Sequence, residues 1–191
     1  TLRSLGGNEK GKLGLKRAEA TIIDGSGGPV DRPGVTMAEG ASLDGFTVTG
    51  VGSYNETKWQ EAWDKSGENQ SHEHIGGFGV PGIAITAVNC RVSRNIVHHV
   101  GDTGIAIRGA DGKRTSPLVI ENICYRNMGG GIGSMMGSTA VIEGNRCFEN
   151  FYAGIGHNNA SPAVRGNICY RNVRAGIGIS EGASPLVRGN Q

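Results

Sequence analysis

Imidazole and indole groups are scarce in this chain of 191 residues, and they are unevenly placed. His72, His74, His98 and His99 are all but one of the five histidines, and both tryptophans, Trp59 and Trp63, come shortly before them. With Glu73 or Asp102, the four histidines supply the imidazole and carboxylate donors that zinc, copper or nickel prefers. His72 and His74 can chelate from one extended segment, because alternate side chains of a strand point to the same side. A divalent metal is the cofactor that this set implies. Aromatic rings beside arginine and carboxylates suit a different ligand, a sugar surface, whose CH faces stack on the rings while polar tips bond its hydroxyls. Trp59, Trp63, Tyr125, Tyr152, Tyr170 and Arg174 are the residues that would make such a surface. The bland alternative is a solvated loop that packs its two tryptophans on the flank of the fold.

What must position these residues is a repeat. ENICYRNMGGGIGSM, EGNRCFENFYAGIGHN and GNICYRNVRAGIGISE are followed by a truncated RGNQ, and Asn122, Asn145, Asn167 and Asn190 recur every 22 or 23 residues. Each copy has an apolar residue three before the asparagine, a cysteine two after it (Cys124, Cys147, Cys169), a second asparagine at plus five, and Gly-Ile-Gly from plus nine. A unit that short cannot bury an apolar face alone, so the copies must stack. Three short stretches of β character separated by turn residues fit the spacing, and no uninterrupted 3.6-residue period is present. The leucine-rich repeat shares the period but requires a leucine density that these copies lack. The expected fold is all-β, a single-stranded parallel β-helix with three short strands per coil of about 22–23 residues.

Counting upstream, the asparagine slot falls on Asn95, Gly45 and Gly25, which places the solenoid over residues 20–191 and leaves 1–19 as an N-terminal segment or partial cap. Two insertions interrupt the rhythm, a short one at about 108–116 and a long one at about 51–79. A long loop inside a compact repeat is more often functional than accidental. The turn after each cysteine strand carries His98, His99 and Asp102, then Tyr125, Arg126 and Gly129, then Phe148, Glu149 and Tyr152, then Tyr170, Arg171 and Arg174. The long insertion leaves the preceding coil on this same edge, so histidines and tryptophans are expected to converge there.

ATIIDG, ASLDGFTVTG and the N-x-C-x-x-N-x-x-x-G-I-G wording resemble the right-handed parallel β-helix repeats of the pectate-lyase-like superfamily, which includes alginate epimerases. The resemblance covers about residues 20 to 191 and implies a secreted, periplasmic or cell-surface protein that binds or processes a polysaccharide or surface glycan. No pectate-lyase or polygalacturonase signature is present, so no catalytic residue is carried over. If the protein is an enzyme, it would be a polysaccharide lyase, epimerase or glycoside hydrolase. Uronate chemistry needs a base near the sugar C5 and a cation to neutralise the carboxylate. His98 or His99 with Arg126 or Arg171 is the arrangement that the edge affords. A structural or adhesive solenoid without chemistry is the alternative, and a histidine-based metal-binding surface protein the third.

With 34 glycines and 5% aromatic residues the chain suits a narrow stacked core. A formal charge of +2 without basic stripes gives no case for nucleic acid, and no apolar run is long enough to span a membrane. Val97 occupies the cysteine column one coil earlier, so Cys124, Cys147 and Cys169 read as an inward stack of reduced thiols, and Asn122, Asn145, Asn167 and Asn190 as a structural ladder. His157, in a slot otherwise held by Ile107, Ser134 and Ile179, reads as a partly buried histidine bonded at a strand end. The chain begins with Thr1 and stops one residue after Asn190, so continuation past both ends is expected. Self-association through uncapped solenoid ends is the corresponding expectation.

Overall fold

The structure, a computed structural model, describes residues 1–7, 9–66 and 79–191. Its strands follow one another around a solenoid. Strand β1 (Leu2–Arg3), the short helix α1 (Lys16–Glu19), β2 (Ile22–Asp24) and β3 (Val35–Thr36) form the first coil. In the second, β4 (Ser42–Asp44) and β5 (Thr47–Thr49) are separated from β6 (Ile83–Thr86) by helix α2 (Glu56–Asp64). The third has β7 (Arg91–Ser93), β8 (Ile96–His98) and β9 (Ile105–Arg108), and the fourth β10 (Leu118–Ile120), β11 (Ile123–Tyr125) and β12 (Ile132–Met135). The fifth has β13 (Val141–Glu143), β14 (Arg146–Phe148) and β15 (Ala153–Asn158), and the sixth β16 (Ala163–Arg165), β17 (Ile168–Tyr170) and β18 (Ala175–Ser180). Strand β19 (Leu186–Arg188) opens a seventh. Every third strand pairs in parallel, giving one seven-stranded and two six-stranded sheets. No described helix is long and apolar enough to cross a membrane.

In-register pairing puts like residues in columns, and the inward columns are the core. Leu43, Val92, Val119, Ile142 and Val164 stack inside the first sheet, and Val48, Val97, Cys124 and Cys147 inside the second. The third contributes Ile83, Ile105, Ile132 and Ile155. All four cysteines are free thiols.

The corner between the first and second sheets is held by amides. Oδ1 of Asn145 accepts from both the backbone N–H and Nδ2 of Asn122, and Nδ2 of Asn145 donates to Val119 O and to Oδ1 of Asn167. The same bonds run from Asn95 through Asn122 and Asn145 to Asn167 and Asn190. A second, parallel ladder joins Asn127, Asn150 and Asn172. A buried carboxamide is tolerated only when its donors and acceptor are matched, and here each coil matches the next. The residue before each asparagine, from Arg94 and Glu121 to Gly144, Gly166 and Gly189, is left-handed.

That left-handed position corrects the upstream count. Register places Phe46 opposite Asn95, and the Phe46 N–H donates to Asn95 Oδ1 at 3.0 Å, so Phe46 takes the asparagine slot. Gly45 is the left-handed residue before it, at φ 83°. Gly25 likewise pairs four positions later than counted, opposite Gly50, because the first coil has a longer turn. The N-terminal segment contributes β1 to the first sheet and then crosses the outside of the second, where Ala18 is buried with Ile96 and Ile123. Arg17, also buried, pairs with Asp44 at 2.9 Å.

The two glycines of Gly-Ile-Gly have different causes. A Cβ on Gly131 would lie 2.6 Å from Gly154 O in the next coil, and one on Gly154 would lie 2.8 Å from Gly176 O. A Cβ on Gly156 meets nothing nearer than the Ala153 Cβ at 3.9 Å, and Ala84 and Ala106 hold the same column earlier. Gly131→Ala should therefore lower unfolding free energy by about 1–3 kcal/mol through overpacking, whereas Gly156→Ala should stay within about 0.5 kcal/mol of the parent. Equal urea midpoints for the two variants would contradict the assignment.

Candidate functional site

On the outside of the second sheet the residues three past each asparagine slot stack along the solenoid. His98 and Tyr125 are 4.9 Å apart, Tyr125 and Phe148 5.0 Å at an interplanar angle of 2°, and Phe148 and Tyr170 5.0 Å at 6°. Both faces of Tyr125 are thus occupied by neighbouring rings, so it does not form the sugar platform expected of it, since stacking a sugar requires an open ring face. Tyr170 ends the stack with one face on Phe148 and is 41% exposed.

The long insertion contains a helix, which the repeat period concealed. Asn55 caps α2, its Oδ1 accepting from the Lys58 N–H at 2.9 Å, and Trp59 and Trp63 lie four apart on one helical face. That cap and spacing are the signals by which the sequence could have disclosed it. Trp59 is 2% exposed, packs with Met128, Phe151, Tyr152 and Val173, and donates from Nε1 to Glu149 O at 2.8 Å. The Arg126 guanidinium lies 3.8 Å above its ring, Trp63 stacks on it at 5.3 Å, and Arg171 lies 5.4 Å from the Trp63 ring. Glu149 pairs with both arginines, and Glu56 with Arg126 at 2.6 Å. Trp59 is thus an anchor rather than a ligand platform, and Trp63 stacks against it. Arg126 is committed to Glu56, Glu149 and the Trp59 ring, whereas Arg171, whose side chain is 62% exposed, meets Glu149 at 3.3 Å.

His98 and His99 meet on this edge, Nδ1 to Nδ1 at 2.8 Å, with Thr49 Oγ1 3.1 Å from His98 Nδ1. Burial first, then the neighbouring His99, holds His98 down at about 4. His99 is lowered too, by burial and then by Arg126, with Glu56 opposing. A base that weak is poorly matched to proton abstraction near neutral pH. Among the described residues no three histidine, cysteine, aspartate or glutamate side chains group to hold a metal, so Asp102 completes no set with His98 and His99. His72 and His74 lie outside the described residues.

His157 is buried inside the third sheet, where its Nδ1 lies 2.8 Å from Ser134 Oγ and burial holds it down at about 4. Folded His98 and His157 thus take up protons only well below the ordinary imidazole value of 6.5. Their stabilising effect is complete above about pH 6.5 and is lost as pH falls towards 4. Urea midpoints should decline across that window. A decline confined below about pH 4 would assign the loss to carboxylates such as Asp44, which its arginines hold below the usual range despite burial.

An open groove lies instead on the outer face of the third sheet. In β12, β15 and β18 the side chains alternate, so Gly133, Gly156 and Gly178 face outward and form a floor without side chains. Thr103, from the turn before β9, and Tyr152 and Arg174, from the turns before β15 and β18, line one side; Asn158 and Ser180, at the strand ends, line the other. The groove has a volume of about 540 Å³, within the usual range of ligand sites. Tyr152 is 4% exposed and shares a buried cluster with Trp59 and Phe151, so it supports the wall more than it offers a face. Of the expected sugar contacts, Arg174 and Tyr152 line this groove; Trp59, Trp63, Tyr125 and Tyr170 do not.

Parallel three-strand coils, inward aliphatic columns and an asparagine ladder define a parallel β-helix, and its hand is right-handed. The chain belongs to the right-handed beta helix region family, whose model matches residues 71–191. No curated protein and no solved structure matches the chain.

Proposed function

We propose that this protein is a carbohydrate-binding β-helix of the cell surface or extracellular space, and that an extended saccharide lies along the groove of the third sheet. The observation that carries this reading is the side-chain-free strip of Gly133, Gly156 and Gly178 between polar walls, which admits a flat polymer close to the backbone. The wall bearing Tyr152 is the edge onto which α2 docks, so the long insertion shapes the site from behind. Binding is favoured over turnover because, among the described residues, Glu181 is the one carboxylate lining the groove and His157 is buried with its Nδ1 on Ser134. Acid and base catalysis of glycoside chemistry needs two such groups facing the sugar.

Gly156→Leu tests this directly, since a side chain there enters the groove without meeting backbone. On a polysaccharide array the parent should give signal, and the variant should lose it while keeping its urea midpoint. Equal signal from both proteins would sink the groove as the site. An array silent for the parent would favour a structural or adhesive solenoid.

A further inference from the structure

Resting on that reading of the groove, we infer that its ligand is a neutral saccharide carrying acetyl groups rather than a uronate polymer. Among the described residues, the charged side chains that line the groove are Arg174 and Glu181, one of each sign. A polyuronate bears a negative charge on every sugar, and a groove crossing three coils would need a row of cations to receive it. The opposed pair gives no such field. The floor and its borders are glycine backbone with the methyl and thioether groups of Ala153, Ala175 and Met135, all half-buried. A hydroxyl set against these groups loses water without gaining a partner, whereas an acetyl methyl gains by the same burial. Beside this strip stands the half-buried carboxamide of Asn158, whose Nδ2 can donate to an acetyl carbonyl. From Gly133 to Gly178 the floor spans two strand spacings, roughly 10 Å, enough for about two or three sugar rings. Acetyl groups are thus offered both an apolar contact and a donor at one place.

Calorimetric titration with acetylated xylan and acetylated glucomannan oligosaccharides, each before and after alkaline de-O-acetylation, and with oligogalacturonate, tests the inference. At least one acetylated probe should bind at least tenfold more tightly than its deacetylated form and than oligogalacturonate. Asn158→Ala should narrow that ratio, and Gly156→Leu should abolish binding. Equal affinity with and without acetyl groups, or tighter binding of oligogalacturonate, overturns the acetyl preference and leaves the groove reading standing. Binding that survives Gly156→Leu overturns the groove as the site, and the absence of binding to every probe overturns the inference.

Discussion

Asn145→Ala is expected to lower the free energy of unfolding by on the order of 3–4 kcal/mol, with a matching fall in urea midpoint. The side chain is buried, and its removal leaves the Asn122 N–H and Nδ2 without their acceptor and the Val119 carbonyl without its donor. Each unmatched buried group costs about 1–3 kcal/mol, and Asn145 is buried. The loss should extend past one coil, since solenoid repeats stabilise their neighbours. Asn145→Asp should also destabilise, because it keeps an acceptor but gives up the donor to Val119 O and brings a charge among buried carboxamides. A loss under about 1 kcal/mol for alanine would show that the ladder is redundant with the backbone pairing around it.

Trp59→Ala should rival it, at about 3–5 kcal/mol, because a large buried ring leaves a cavity among Met128, Phe151, Tyr152 and Val173 that closes only in part. The lost bond to Glu149 O and the lost guanidinium contact of Arg126 add to this. The consequence is also positional. α2 is held by the Trp59 and Trp63 stack between two arginines, so the helix should leave the solenoid flank while the coils persist. Circular dichroism should retain the β signal, and Trp63 fluorescence should shift red as the ring becomes exposed. An unshifted Trp63 would mean that the arginines and Glu149 hold α2 without Trp59. Had Trp59 been a sugar platform, this substitution would remove binding and spare stability; the packing predicts a large stability loss first.

Much of the solenoid was legible because in-register stacking copies physical demands from coil to coil. A slot that must be apolar and inward, such as Val119, Ile142 and Val164, stays so in each repeat. Where the wording drifts, counting misplaces the slot, by one residue at Gly45, where glycine meets a left-handed backbone rather than the ladder, and by four at Gly25, where the turn of the first coil is longer. The α2 segment was hidden for the opposite reason, being a single local element outside the repeat, disclosed only by its cap and its Trp59 and Trp63 spacing.

For the candidate site the limits are plainer. That the turn after the second sheet gathers His98, Tyr125, Arg126, Phe148 and Tyr170 on one edge follows from their positions in the repeat. Which surface of each ring stays open does not, since it depends on neighbours brought in from other coils. Tyr125 is sandwiched between His98 and Phe148, and Trp59 is covered by residues some 70 to 114 positions away in the chain. The two glycines of Gly-Ile-Gly read alike in the repeat, yet Gly131 is glycine because a carbonyl of the next coil lies 2.6 Å from its missing Cβ, and Gly156 faces an open groove. Residue order along this chain sets the columns, because parallel register turns sequence period into stacked position. Exposure within a column is set by what packs across it, and that is a property of the assembled coils.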